Sequence, residues 1–164
     1  MKHSAMTALA AIGLIAATIT AAGIAQAQQA QPEAQHLTLY VMPDEMGLVG
    51  PDKQHHDSFL PSSFVLKAGE QVQLTIVNYD DTAHSITAPD LGLNIMVKPG
   101  THVAGSDQVT PVTTNFTFTP TKKGQFRWHC IFPCDKGSGK GWAMKSAFDG
   151  QDGDGFMAGY IEVI

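Results

Sequence analysis

The amino-acid sequence predicts an all-β protein, an antiparallel β-sandwich or barrel, and three observations predict it. Short runs with apolar residues at every second position recur along the chain. Gly, Pro, Asn and Asp separate them, and outside the first 27 residues no window sustains a helical period. A half-buried strand shows one face at every second residue, whereas a helix shows a stripe near every 3.6, so the period tells the two apart.

In chain order, the first segment does not read as part of the fold. Met1-Lys2-His3-Ser4 is a short basic start, residues 6–24 are all apolar, small or Thr, and Ala25-Gln26-Ala27 has the form of a signal-peptidase site. Residues 1–27 are therefore expected to be a signal peptide, which implies a periplasmic or extracellular protein. The alternative is an uncleaved anchor, since the run approaches the roughly 20 residues that cross a bilayer. Residues 28–35 are polar and read as a flexible lead-in, followed by one domain over 36–164. Residues 36–42 (HLTLYVM) alternate and predict a strand. Residues 63–67 (SFVLK) run into a turn at 68–70, and 71–78 (QVQLTIVN) alternate with Val72, Leu74 and Ile76 on one face. Residues 112–119 and 124–129 (GQFRWH) predict two more strands across the turn 120–123, and 159–164 (GYIEVI) predict the last. The Gly- and Asp-rich stretch 136–155 reads as a long surface loop. Its Asp149, Asp152 and Asp154 lack the spacing and terminal Glu of a calcium-binding EF-hand loop.

The formal net charge is −5, or −6 once Lys2 is removed. There is no basic run to neutralise phosphates, which argues against nucleic acid. Mild acidity permits docking on a basic protein. No phosphate-cradling loop and no nucleophile-elbow motif is present, and Ser85 beside His84 is not a nucleophile with its base.

The chemistry gathers near the C-terminal end. Thiolate, imidazole and thioether are the ligands that copper selects. Cys130 and Cys134 lie three residues apart from one another in the intervening count, and Met144 follows before the last strand. His84 comes from far upstream, after the turn at residues 78–82. A β-sandwich brings two such loops together at one end and holds them rigidly, which limits the rearrangement accompanying a one-electron change.

These residues resemble a known family. Residues 81–94 (DTAHSITAPDLGLN), continuing to KPG at 98–100, look like the copper domain of cytochrome c oxidase subunit II, where a similar segment supplies the upstream histidine ligand. Residues 124–134 (GQFRWHCIFPC) are similar to its G-x-(Y/F)-x-x-x-C-x-x-x-C stretch. Phe59-x-Pro61, then Val65-x-x-x-Gly69, then Val72, resembles the opening strands of cupredoxins generally, and the likeness spans roughly 59–164. The resemblance implies a Greek-key cupredoxin-like sandwich with one or two copper ions. It makes His84 the upstream ligand, Cys130 and Cys134 bridging thiolates of a binuclear CuA centre, Phe132 a backbone carbonyl donor and Met144 the weak thioether.

One departure stands against these matches. The family places a second histidine four residues after the second cysteine, where this chain has Ser138, and no histidine follows His129. His56 and His55, just before Phe59-x-Pro61, are the substitutes expected first, and His102 is expected to sit exposed in a turn. His129 adjoins Cys130, but neighbours on a strand face opposite ways, so a shared ion would need a bend there. Met144 has core filling as its alternative role, and Phe126, Trp128 and Phe132 read as packing. A Cys130–Cys134 disulfide stays open in an exported protein, though it would close a very short loop and stabilise little.

The resulting expectation is a small copper electron carrier, not itself an oxidase, with a redox partner such as a cytochrome or a terminal oxidase. Two alternatives remain: a Cu(I)-binding protein serving a copper donor or acceptor, and a metal-free module whose cysteines are oxidised.

Overall fold

The computed structural model describes residues 33–132 and 155–164, all within the unit Gln31–Ile164. The expected signal peptide, the start of the lead-in, Cys134, Met144 and the loop up to residue 154 lie outside the described residues. Among the described residues no helix is long and apolar enough to cross a membrane.

The strands in chain order are β1 (Gln35–Met42), β2 (Leu48–Val49), β3 (His55–His56), β4 (Ser58–Leu60), β5 (Phe64–Leu66), β6 (Val72–Asn78) and β7 (His84–Ala88). They continue with β8 (Leu93–Val97), β9 (Thr101–His102), β10 (Val109–Thr110), β11 (Val112–Phe118), β12 (Gly124–His129) and β13 (Ala158–Val163). One sheet has the order β11-β6-β1-β4 and the other β5-β13-β12-β7-β8, with small hairpins β2-β3 and β9-β10 beside them. Most neighbours pair antiparallel; β1 with β6 and β5 with β13 pair parallel. Parallel neighbours need a long crossover. Between β1 and β6 the chain passes through β4 in the same sheet and β5 in the other, and that excursion provides it.

Alternation sets what each strand buries. Val72, Leu74 and Ile76 of β6 face inward, as do Leu39 and Val41 of β1 and Leu93, Ile95 and Val97 of β8. They join Ile86, Trp128 and Ile161 of the second sheet in one apolar core. Burying each such side chain contributes about 1.5–3 kcal/mol. On β12 the inward parity runs Phe126, Trp128 and then Cys130, all buried, with Arg127 and His129 on the other side.

Strand β13 passes very close to the segment before β5. A Cβ on Gly159 would stand 1.7 Å from the Ser62 carbonyl oxygen, and the same carbonyl accepts the Trp128 indole N–H at 2.8 Å. Gly159→Ala must push backbone from backbone and break that bond, so it is expected to cost about 3 kcal/mol. A urea-unfolding midpoint unchanged from wild type would count against this close approach.

Candidate metal centre

Strand direction places the pair. β7 and β12 run antiparallel with His129 opposite Thr87, so the start of β7 and the end of β12 lie at the same end of the sheet. His84 is the first residue of β7 and Cys130 the first after β12. Both side chains are fully buried. His84 Nδ1 and Cys130 Sγ face each other at 4.0 Å, and the Phe132 carbonyl oxygen stands 4.0 Å from the same sulfur.

The sulfur is held from behind. The Ser85 N–H donates to Sγ at 3.3 Å, and the Ser85 hydroxyl accepts the Ile131 N–H at 3.0 Å. The Cys130 N–H donates to the Met157 carbonyl at 2.8 Å, tying the cysteine to the chain entering β13. Ser85 is thus a positioning group, a role the sequence reading missed because it weighed the hydroxyl only as a nucleophile.

The imidazole is held just as firmly. Nε2 donates to Asp80 Oδ2 at 2.7 Å, with the Thr82 hydroxyl 3.1 Å from the same nitrogen and bonded to the same carboxylate. The Phe59 ring stands edge-on to it, with centroids 6.1 Å apart at 86°. Asn78 shapes the turn between: its amide donates to the Thr82 carbonyl at 2.9 Å and the Lys98 carbonyl at 3.0 Å, and its oxygen accepts the Asp80 N–H at 2.9 Å. Asp80 was legible in sequence only as a turn residue; a carboxylate four positions before a buried histidine was the available signal.

Burial alone would lower the His84 pKa, but the hydrogen bond to Asp80, then the one to the Cys130 sulfur, raise it to about 9. Burial alone would raise that of Asp80, but hydrogen bonds from His84 and Thr82 hold it down to about 2. In the metal-free protein these shifts fix the pH dependence of stability. The raised His84 pKa contributes stability fully below the ordinary value of 6.5, lost as pH rises through about 9. The lowered Asp80 pKa contributes above 3.8, lost as pH falls through about 2. The two describe one ion pair, worth on the order of 3 kcal/mol. Metal-free protein is therefore expected to unfold at lower urea at pH 9.5 than at pH 6, a difference that Asp80→Ala should reduce, leaving the part due to the Cys130 sulfur.

The other histidines weighed as donors each have a described partner. His55 is exposed, with Nδ1 bonded to the Gly47 carbonyl at 3.0 Å. His56 is fully buried, with Nε2 bonded to Asp52 Oδ1 at 2.9 Å. His102 lies on β9, exposed and paired with Asp81. His129 Nδ1 bonds the Cys130 carbonyl at 3.1 Å. Among the described residues no three His, Cys, Asp or Glu side chains converge as a metal-binding group.

The pair fits a soft first-row metal ion. A separation of 4.0 Å is slightly less than the sum of a metal–nitrogen bond of about 2.1 Å and a metal–thiolate bond of about 2.3 Å, as seen for zinc. An ion therefore fits between the two at a bent angle. The second imidazole nitrogen already has a carboxylate partner, the usual support of a metal-bound histidine. A groove of about 960 Å³ opens on the Asp80 side, lined by Asp44, Glu45, Asp57, Asp80, Asp81 and Asp107 among others; neither His84 nor Cys130 lines it.

Residues 11–140 match the family model of the cupredoxin-like domain, and the chain belongs to that family. Solved structures with a similar chain course include the metal-binding domain of the Streptococcus pneumoniae D39 Cu(I)-exporting P-type ATPase CopA with Cu(I). It is 14% identical, with a TM-score of 0.42 over 79% of this chain and 84% of that one. The periplasmic domain of cytochrome oxidase subunit II (CoxB) of Bradyrhizobium japonicum is 17% identical, with a TM-score of 0.42 over 82% and 87% of the two chains. The blue copper oxidase of Nitrosomonas europaea is 15% identical, with a TM-score of 0.49 over 80% of this chain and 39% of that one. Likenesses this distant carry nothing about function. Among curated proteins no match is found.

Proposed function

We propose that the chain is an exported copper-binding protein and serves as a small electron carrier. The observation that carries this reading is the buried His84–Cys130 pair, open toward one another at 4.0 Å with the Phe132 carbonyl beside the sulfur, in a chain of the cupredoxin-like family. Cys134 and Met144 are proposed to complete the donor set, and bound copper would supply a one-electron couple. The residues do the rest: Ser85 holds the sulfur, Asp80 and Phe59 hold the imidazole, and the packed strands keep both from moving. The proposed partner is a redox protein such as a cytochrome or a terminal oxidase. The carboxylates of the groove suit a basic face on it.

Because the raised His84 pKa means a second proton on the ring near neutral pH, metal binding at Nδ1 must displace it. Apparent copper affinity is expected to fall as pH drops below about 9, by up to tenfold per unit for that proton.

The test is to reduce the purified protein, load it with copper and record visible absorption and electron paramagnetic resonance spectra. Strong thiolate-to-copper absorption is expected, and the hyperfine pattern distinguishes one copper nucleus from two. A protein that takes up no copper in any redox state ends this reading. The absence of any histidine after His129 favours a second one, Cu(I) binding for delivery, since thiolates and a thioether suit Cu(I). Transfer of metal to a competing acceptor without a reversible potential would select it.

A further inference from the structure

We infer that Asp80 is a positioning residue that holds the His84 proton on Nε2 and so keeps the Nδ1 lone pair turned toward Cys130. A neutral imidazole carries one N–H, and two acceptors compete for it here. Nε2 faces the Asp80 carboxylate at 2.7 Å, and Nδ1 faces the Cys130 sulfur at 4.0 Å. If the sulfur held the proton, the ring would present an N–H where a metal needs a lone pair. A charge-assisted bond at the short distance outweighs a contact to sulfur at the limit of hydrogen-bond reach.

Thr82 gives an independent sign of the same arrangement. The Thr82 hydroxyl donates to the Asp80 carboxylate. Its hydrogen is thereby used, and toward His84 Nε2, 3.1 Å away, the same oxygen acts as acceptor. Both neighbours of Nε2 therefore require an N–H on that nitrogen.

The carboxylate is fixed independently of the histidine. Its residue's N–H is bonded by the Asn78 side chain, and its backbone carbonyl accepts the Gly100 N–H at 2.7 Å. Phe59, edge-on to the ring, opposes a flip that would exchange the two nitrogens. The next carboxylate along, Asp81, instead turns outward to His102, so the role belongs to one member of the Asp80-Asp81 pair.

The metal-affinity half of this inference rests on the copper reading; the proton-placement half does not. Full-length wild type, Asp80→Ala, Asp80→Asn and Asp81→Ala are compared in two measurements. Long-range nitrogen–proton NMR of the metal-free protein, above the pH at which His84 gives up its second proton, reports which ring nitrogen is protonated. Competition with a Cu(I) chelator at that same pH, where no second proton has to be displaced, reports affinity, and melting of each metal-free variant confirms folding. Wild type and Asp81→Ala should show Nε2–H. Asp80→Ala should move proton population to Nδ1 and weaken copper about 10–100-fold, and Asp80→Asn, keeping an acceptor oxygen, should fall between. Asp80→Ala that stays folded with an unchanged Nε2–H, or with copper affinity within threefold of wild type, overturns the inference. A shift of the proton in a protein that binds no copper supports it while ending the proposed function.

Discussion

Cys130→Ser is expected to abolish thiolate-to-copper absorption and to weaken copper binding by more than the roughly 100-fold typical of losing an outer-shell partner. The hydroxyl is a harder donor and stays protonated near neutral pH, so it neither matches copper nor supplies the charge-transfer band. The metal-free fold should change by about 1 kcal/mol or less. The hydroxyl can still accept the Ser85 N–H that now reaches Sγ at 3.3 Å. Spectroscopic copper titration and urea unfolding of the same preparations separate the two effects. A variant with wild-type colour and affinity would remove Cys130 from the centre altogether.

Phe59→Ala is expected to give the largest loss of stability, about 3–5 kcal/mol, or roughly 15 °C in melting temperature for a domain of this size. The ring is fully buried and packs edge-on against Trp128, with centroids 4.9 Å apart, so truncation leaves a cavity at the centre of the core. The same ring is a wall of the His84 site, which ties core packing to metal geometry. Broadened copper spectra should therefore accompany the lower melting point. Phe59→Leu, which refills most of the volume, should recover most of the stability and less of the spectral sharpness. A Phe59→Ala melting point within a few degrees of wild type would show that the neighbouring side chains collapse into the space.

Strands with one dry face were legible. Residues 71–78 and 36–42 alternate because alternate side chains meet the core and water, and the structure places β6 and β1 within a residue of those bounds. The strand carrying His84 was not read as a strand. In β7 four of five residues are buried, on both faces, because it lies between β12 and β8 and its outer side is covered where Ser85 meets Ile131. A strand buried on both sides with His, Ser and Thr in it shows neither alternation nor a continuous apolar run. The two-residue strands are set by partners far along the chain and carry no period at all.

The sequence by itself determined the class of fold and, with Phe126 and Trp128 read as packing beside it, singled out Cys130. It also pointed to His84 as that cysteine's counterpart. Only the tertiary structure decided what surrounds the two. Asp80, Thr82 and Ser85 act through distances of 2.7–3.3 Å that turn and strand pairing create, and short polar residues look alike in sequence whether they cap a turn or support a ligand. The physical reason is range. Side-chain alternation is a local property of the chain, whereas the partner of an imidazole nitrogen or a sulfur is fixed by which strands pair and in which register.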